Sequence, residues 1–204
     1  KVLLVEGKKL GGVCLNEGCV PSKTLLQAAK TYHHALHGET FGVEVSDVRF
    51  NFEKANAHKT QVMDGMRKGI AGLMKKSKVE VVHGLATLSE GRKVTVDGET
   101  HEADNVLICT GSSPTRPPIP GIDGDNVLDS TGILELEQLP ESLVVIGGGI
   151  IGCEFACFFG SVDVPVTVLE ALPEICPTLD SDLARVLRGE LAEKNVTFHV
   201  GAKV

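Results

Sequence analysis

The sequence predicts an α/β protein, with buried strands alternating with helices and one small antiparallel meander set among them. Three observations lead there. Short apolar runs recur along the 204 residues, each ending at a glycine or an acid: VLLVE at 2–6, VEVVHG at 79–84, NVLICTG at 105–111 and PVTVLE at 165–170. Such runs bounded by turn residues read as strands buried on both faces, the habit of parallel sheets covered by helices. Between 85 and 103 the pattern shortens to brief strands joined by EGRK and VDGE, a meander. Beyond Glu141 a fresh β–α–β unit opens with a run of glycines between its strand and its helix.

In chain order, the apolar run 2–5 is a buried strand with Glu6 at its end, and 7–21 reads as a loop. A helix should start near Ser22, where Leu25, Leu26, Ala29, Ala35 and Leu36 recur at helical spacing. A second helix, longer and more polar, is expected from Phe52 to Lys76. The strand at 79–84 precedes the meander strands near 85–88, 93–96 and 100–103, and 105–111 reads as another buried strand. SSPTRPPIPGIDGDN is a proline- and glycine-rich loop. A domain boundary is placed near 140, giving domains 1–140 and 141–204. The second holds a strand at 143–146, a helix at 151–160, a strand ending at Glu170, a helix across 180–193 and the strand VTFHVG. Pro165 opens its strand, a position where proline is tolerated.

Composition narrows the function. Hydrophobic content of 42% with 23% charged residues is that of a soluble globular chain. The net charge is −7, no Lys or Arg block stands out, and there is one Tyr and no Trp, which disfavours nucleic acid. LVVIGGGIIGCEFACFFGSV (143–162) is apolar enough to suggest a membrane span, but Glu154 would lie near the bilayer centre. A strand–turn–helix explains it better, and no membrane association is expected. Six cysteines are too few for a disulfide-scaffolded secreted domain, so a reducing compartment is expected: cytoplasm, or mitochondrial matrix in a eukaryote. The chain opens on KVLLVEG and closes on VTFHVGAKV, as though cut at both ends.

Residues 147–152, GGGIIG, fit G-x-G-x-x-G with a strand before, a helix after, and Glu170 ending the next strand 18 residues past Gly152. Gly147 makes the tight turn, Gly149 lets backbone approach a pyrophosphate, and Gly152 permits close helix–strand packing. The diphosphate then sits on the helix N-terminus, where unpaired N–H groups favour anions. An acid at Glu170 suits a ribose 2′-OH and repels a 2′-phosphate, which argues for NAD over NADP. The bland alternative is a glycine turn that binds nothing. Glu6 has the same place in the first segment, though standing alone it is a solvated strand end.

Cys14 and Cys19 lie in GGVCLNEGCVPSK (11–23) with four residues between them. Three readings compete. Zinc needs four ligands, and His33 and His37 on the neighbouring helix could complete a set, but a solvated helix face is the simpler account of them. The other cysteines form no matching close pair outside 153 and 157. A static disulfide is possible by loop size. A redox dithiol is the third reading: Cys19 precedes Pro21, Ser22 can cap a helix, and a helix N-terminus with Lys23 nearby favours thiolate. A dithiol beside a dinucleotide fold implies electron flow between nicotinamide and disulfide, with a flavin as relay.

GGVCLNEGCVPSKTLL, TGSSPTRPPIPG and VIGGGIIGCEFA, in that order, resemble motifs of the class I pyridine nucleotide–disulfide oxidoreductases, and the resemblance covers essentially the whole chain. It implies two Rossmann-like domains, one for FAD carrying the meander and one for NAD, both incomplete here. CLN, PSK and Glu170 resemble the branch that oxidises dihydrolipoamide with NAD; mercuric reductase shares PSK. The resemblance implies that Cys14 and Cys19 form a redox-active disulfide. Cys14 would exchange with substrate, and Cys19 would face the flavin in a charge-transfer contact. Lys23 would lie by flavin N5 and pair with Glu154. Glu6, Gly12, Ala86 and Gly111 would serve FAD. Gly147, Gly149, Ile150, Ile151, Gly152 and Glu170 would serve NAD, with Val204 near its adenine. No metal ligands are expected. It further implies a homodimer and, as partner, the lipoyl domain of a 2-oxo acid dehydrogenase or glycine cleavage complex. The family's His–Glu acid–base pair matches none of the seven histidines, so these residues alone are not expected to be a competent enzyme. A related disulfide or mercuric reductase and a non-catalytic dinucleotide-binding fragment with a structural disulfide are the alternatives. Three positions depart from the pattern. Glu17, between the cysteines, would raise a thiol pKa if it faced one, but is read as facing solvent. Cys109 is read as a small buried hydrophobe, and Pro165 as a strand opener.

Overall fold

The computed structural model describes residues 1–204. The chain forms two compact units that interleave in sequence: residues 1–20 with 60–113, and 21–59 with 114–204.

In the first unit β1 (Val2–Glu6) pairs in parallel with β2 (Val79–His83), from Val2 opposite Val79 to Glu6 opposite His83. The meander is β3 (Ala86–Ser89), β4 (Lys93–Val96) and β5 (Glu99–Glu102), antiparallel throughout. The two-residue turn between β4 and β5 places Asp97 and Gly98 at φ 47° and 84°. Positive φ at both positions is the turn whose twist matches the strands it joins, and the aspartate–glycine pair is why it forms.

Residues 7–21, expected as a loop, are largely helical. Gly11, at φ 110°, opens the short helix α1 (Gly12–Glu17), and α2 (Cys19–Leu36) follows after Gly18. Ser22 is therefore inside α2 rather than capping it. Pro21 sits in its first turn, where the missing N–H is no loss. The long helix α3 (Phe52–Lys76) has the expected limits.

Residues 105–111 differ from expectation more sharply. No strand pairs with them, and Leu107 and Ile108 are 87% and 64% exposed. An apolar run becomes a strand only where another strand accepts its backbone groups, and neither β1 nor β2 pairs with this one. Cys109 is exposed with it, not buried.

The second unit is built on a parallel sheet of β6 (Leu143–Ile146), β7 (Val166–Glu170) and β8 (Val196–Val200), with β7 in the middle. Helix α4 (Ile150–Ser161) connects β6 to β7, and α5 (Ser181–Ala192) connects β7 to β8. The Asp180 carboxylate caps α5 by accepting from the Asp182 N–H at 3.0 Å. Phe158 and Phe159, on α4, are all but inaccessible; their rings meet edge to face at 4.9 Å, and Phe50 meets Phe158 at 6.2 Å. Val166 and Val168 from β7, Ile175, and Leu25 and Ala29 from α2 complete this core. At Gly160 a Cβ would stand 2.1 Å from the Lys194 carbonyl oxygen, so only glycine lets α4 lie this close to the segment entering β8. No helix is long and apolar enough to cross a membrane.

Candidate dinucleotide turn and dithiol

The glycine turn lies at the C-terminal end of β6, in the second unit. Gly147 takes φ 105°, a conformation that disfavours a side chain. A Cβ on Gly152 would stand 2.1 Å from the Gly147 carbonyl oxygen, so the first turn of α4 can pack on β6 only with glycine there. A Cβ on Gly149 would meet nothing within 4 Å. The space over Gly149 is open, which fits a bound pyrophosphate, and the N–H groups opening α4 have no intrahelical partners. Ile150 and Ile151 are exposed beside this opening.

Glu170 ends β7 and is 8% exposed. Its carboxylate accepts from the Gly148 N–H and the Leu172 N–H, both at 2.7 Å. The strand-end acid therefore braces the glycine turn, and each oxygen keeps a lone pair for a further donor. The chain after β8 returns to this end of the sheet: the Ala202 N–H donates to the Glu170 carbonyl at 2.9 Å. Val204, two residues on, is 57% exposed.

Lys23 and Glu154 also belong to the second unit. The Lys23 ammonium donates to the Glu154 carboxylate at 2.6 Å, joining α2 to the N-terminal half of α4 across 131 residues of sequence. His33 and His37 stack on each other, centroids 4.1 Å apart, and no group of three or more His, Cys, Asp or Glu is gathered.

The dithiol belongs to the first unit. Cys14 lies in α1 and Cys19 is the first residue of α2; both are exposed. Asn16 holds the segment. Its amide nitrogen donates to the carbonyls of Lys9, Leu10 and Gly12 at 3.3, 3.2 and 2.9 Å, and its oxygen accepts from the Arg67 guanidinium at 2.9 Å. Arg67 also bonds Asp64 and holds that carboxyl below the usual carboxylate range. Glu17 accepts from the Lys8 ammonium at 2.9 Å. It is engaged, not free in solvent as expected.

The remaining expected residues are spread over the first unit. Glu6 accepts from the Lys8 N–H at 2.8 Å. Gly12 is at φ 67° at the start of α1, and Ala86 opens β3. Gly111, at φ 76°, would press a Cβ to 2.9 Å from Val13 Cγ2, beside Cys14. Toward a flavin, which the resemblance implies, these residues supply a strand-end acid and a dithiol.

Sequence reasoning missed two features. One is Arg67 on α3, 51 residues from Asn16, with no local signal to announce it. The other is a close cysteine pair where none was expected: Cys153 and Cys176, both buried, Sγ to Sγ 3.7 Å.

A glycine turn braced by a strand-end acid, and a pair of exposed thiols presented by two consecutive helices, are parts that a dinucleotide-dependent thiol oxidoreductase would need. The family described as pyridine nucleotide-disulphide oxidoreductase matches residues 1–204, and the chain belongs to it. Among similar proteins, a dihydrolipoyl dehydrogenase of Bacillus subtilis is 39% identical across the whole chain, which covers 46% of that relative. One from Thermus scotoductus is 40% identical, again over the whole chain and 44% of the relative. The chain thus spans about half the length of the relatives it matches. Among solved structures, the HOCl-induced flavoprotein disulfide reductase RclA of Escherichia coli superposes over the full chain and 44% of its own, with TM-score 0.85 and 32% identity. LpdA of Mycobacterium tuberculosis gives TM-score 0.88 at 27% identity, over the full chain and 46% of its own. Members of this family use FAD and NAD(H).

Proposed function

We propose that these residues belong to an FAD- and NAD-dependent dihydrolipoamide dehydrogenase, with 1–140 serving FAD and 141–204 serving NAD. The observation that carries the reading is the dithiol itself: Cys14 and Cys19 are exposed on consecutive helices, and one asparagine ties the segment between them. In the oxidised enzyme the two form a disulfide. A dihydrolipoamide thiolate attacks Cys14 Sγ, the Cys14–Cys19 bond breaks, and Cys19 leaves as thiolate. The second substrate sulfur then displaces Cys14 and closes the lipoamide ring. Two electrons now reside on the dithiol. Bound FAD supplies the two-electron relay from this pair to NAD+. The Lys23–Glu154 pair fixes the lysine one turn beyond Cys19 on α2. Gly147–Gly152 and Glu170 hold the NAD diphosphate and ribose. The lipoyl domain of a multienzyme complex is the partner this chemistry calls for, and a homodimer its assembly.

The test is turnover of the full-length protein with dihydrolipoamide and NAD+. Cys19→Ser should abolish turnover while leaving dinucleotide binding intact; a variant as active as the parent would sink the mechanism. The likeness to RclA favours one second reading, reduction of a different disulfide or a thiophilic metal ion by the same dithiol. It predicts NAD(P)H oxidation with such an acceptor and none of the lipoamide reaction.

A further inference from the structure

Two buried cysteines stand at the hinge of the nucleotide turn and have no part in the chemistry above. Cys153 lies in the first turn of α4 and Cys176 in the segment after β7; they are 4% and 2% exposed. Both reach the same backbone atom. The Cys176 N–H donates to the Gly148 carbonyl at 2.8 Å, and the Cys153 thiol points to that oxygen at 3.4 Å. On its other side, the Gly148 N–H donates to Glu170. Gly148, in the middle of the glycine turn, is thus held by the strand-end acid and by both cysteines. Cys176 takes φ 47°, the left-handed region, and its carbonyl accepts from the Leu179 N–H at 2.8 Å. That bend aims its sulfur at Cys153.

We propose that Cys153 and Cys176 are a second dithiol, separate from Cys14 and Cys19, whose oxidation to a disulfide distorts the glycine turn and weakens NAD binding. A hydroperoxide is the oxidant class. One Cys sulfur attacks the peroxide oxygen, the O–O bond breaks, and an alcohol or water leaves as the sulfur becomes a sulfenic acid. The second sulfur attacks it, the S–O bond breaks, and water departs with the displaced oxygen. Two electrons pass from the dithiol to the peroxide, and the thiol protons end in the products. To bond, the sulfurs must close from 3.7 Å to about 2 Å. Closing that gap turns the Cys153 sulfur off the Gly148 carbonyl or shifts the first turn of α4 or the 175–176 segment, and Gly148 is bonded to both. Burial, with Cys176 beside it and the Glu170 charge near, pushes the Cys153 thiol up to about 12. Oxidation is therefore slow, and the pair responds to sustained stress and not to passing peroxide.

The effect on NAD rests on the reading of the glycine turn given above; the cross-link does not. The full-length protein is titrated with hydrogen peroxide, and non-reducing peptide mapping by mass spectrometry follows each cysteine. The expected result is a peptide pair joined through Cys153 and Cys176, about 2 Da lighter than the two thiols, with NAD affinity at least about fivefold weaker. Dithiothreitol restores both, and Cys176→Ser keeps its affinity through the same treatment. Oxidation of these sulfurs to sulfinic acid with no joined peptide would overturn the proposal, as would a joined peptide with unchanged NAD affinity. If the reduced protein binds no NAD, the functional reading fails instead. The dithiol is then judged by amide hydrogen exchange at 147–152, which must change on cross-linking; unchanged exchange overturns it.

Discussion

Asn16 turns both amide protons toward main-chain oxygens of the cysteine segment and its carbonyl toward Arg67. Removing it leaves three carbonyls and a guanidinium without that partner. Asn16→Ala should cost about 1 to 2 kcal/mol against opening of the segment. Asn16→Asp should be worse, since a carboxylate would face the same three carbonyl oxygens while keeping the arginine. Denaturant melts and the rate of maleimide addition at Cys14 measure both; an aspartate variant more stable than the alanine variant would contradict this account. The role of Asn16 was half legible in the sequence, where it stands out only as part of CLN. Arg67 was not, because it arrives from a distant turn of α3. Cys153 and Cys176 were invisible as a pair for a related reason: they are 23 residues apart, and a left-handed residue brings them together.

Elements whose backbone limits are written locally could be read in advance. The glycine turn is one, since each glycine answers a steric demand of its own position. The length of α3 and the β4–β5 turn are others. α1 could not be read, because six residues hold no period and the Asn16 side chain ties it to the carbonyls before it. Nor could 105–111, where apolar character describes a strand only in company. The turn gives a paired prediction. Gly152→Ala should cost about 3 kcal/mol by forcing α4 off β6. Gly149→Ala, at φ −71° with empty space before its Cβ, should leave stability within about 1 kcal/mol and yet weaken NAD binding. Equal melting temperatures for the two variants would refute the packing argument. The segment that enters α5 carries a pH dependence. Glu174 is held below the usual glutamate value by hydrogen bonds from the Arg188 guanidinium, then by the Ile175 N–H. Its folded pKa is depressed, so the stability it contributes is present above about pH 4.3 and is lost as pH falls through the lower folded value. Wild type and Glu174→Gln should therefore differ in urea midpoint near neutrality and converge in acid; a gap that widened in acid would reverse the sign.

Across the whole molecule the apolar core is unevenly shared. Every member of the main buried cluster lies in the second unit, while Leu15 and Val96 are the buried apolar side chains of the first. The first unit should open more readily, and a ligand bound there would stabilise it by mass action, about 2.7 kcal/mol at a hundredfold excess over Kd. Phe158→Ala should cost about 3 to 5 kcal/mol in the second unit. Amide exchange should speed up across β6, β7 and β8 and change little in the β3–β5 meander; uniform acceleration would mean that the two units unfold as one. The second unit also contains its own reporter. Lys59 is buried at 8% exposure, its ammonium donating to the Leu134 carbonyl and to Asn56, and burial lowers its pKa. An acylating reagent that takes the surface lysines within minutes can take this one only when α3 parts from the 132–136 turn. The lag before Lys59 is labelled is then a clock for that opening, readable residue by residue in a mass spectrum without any probe being introduced.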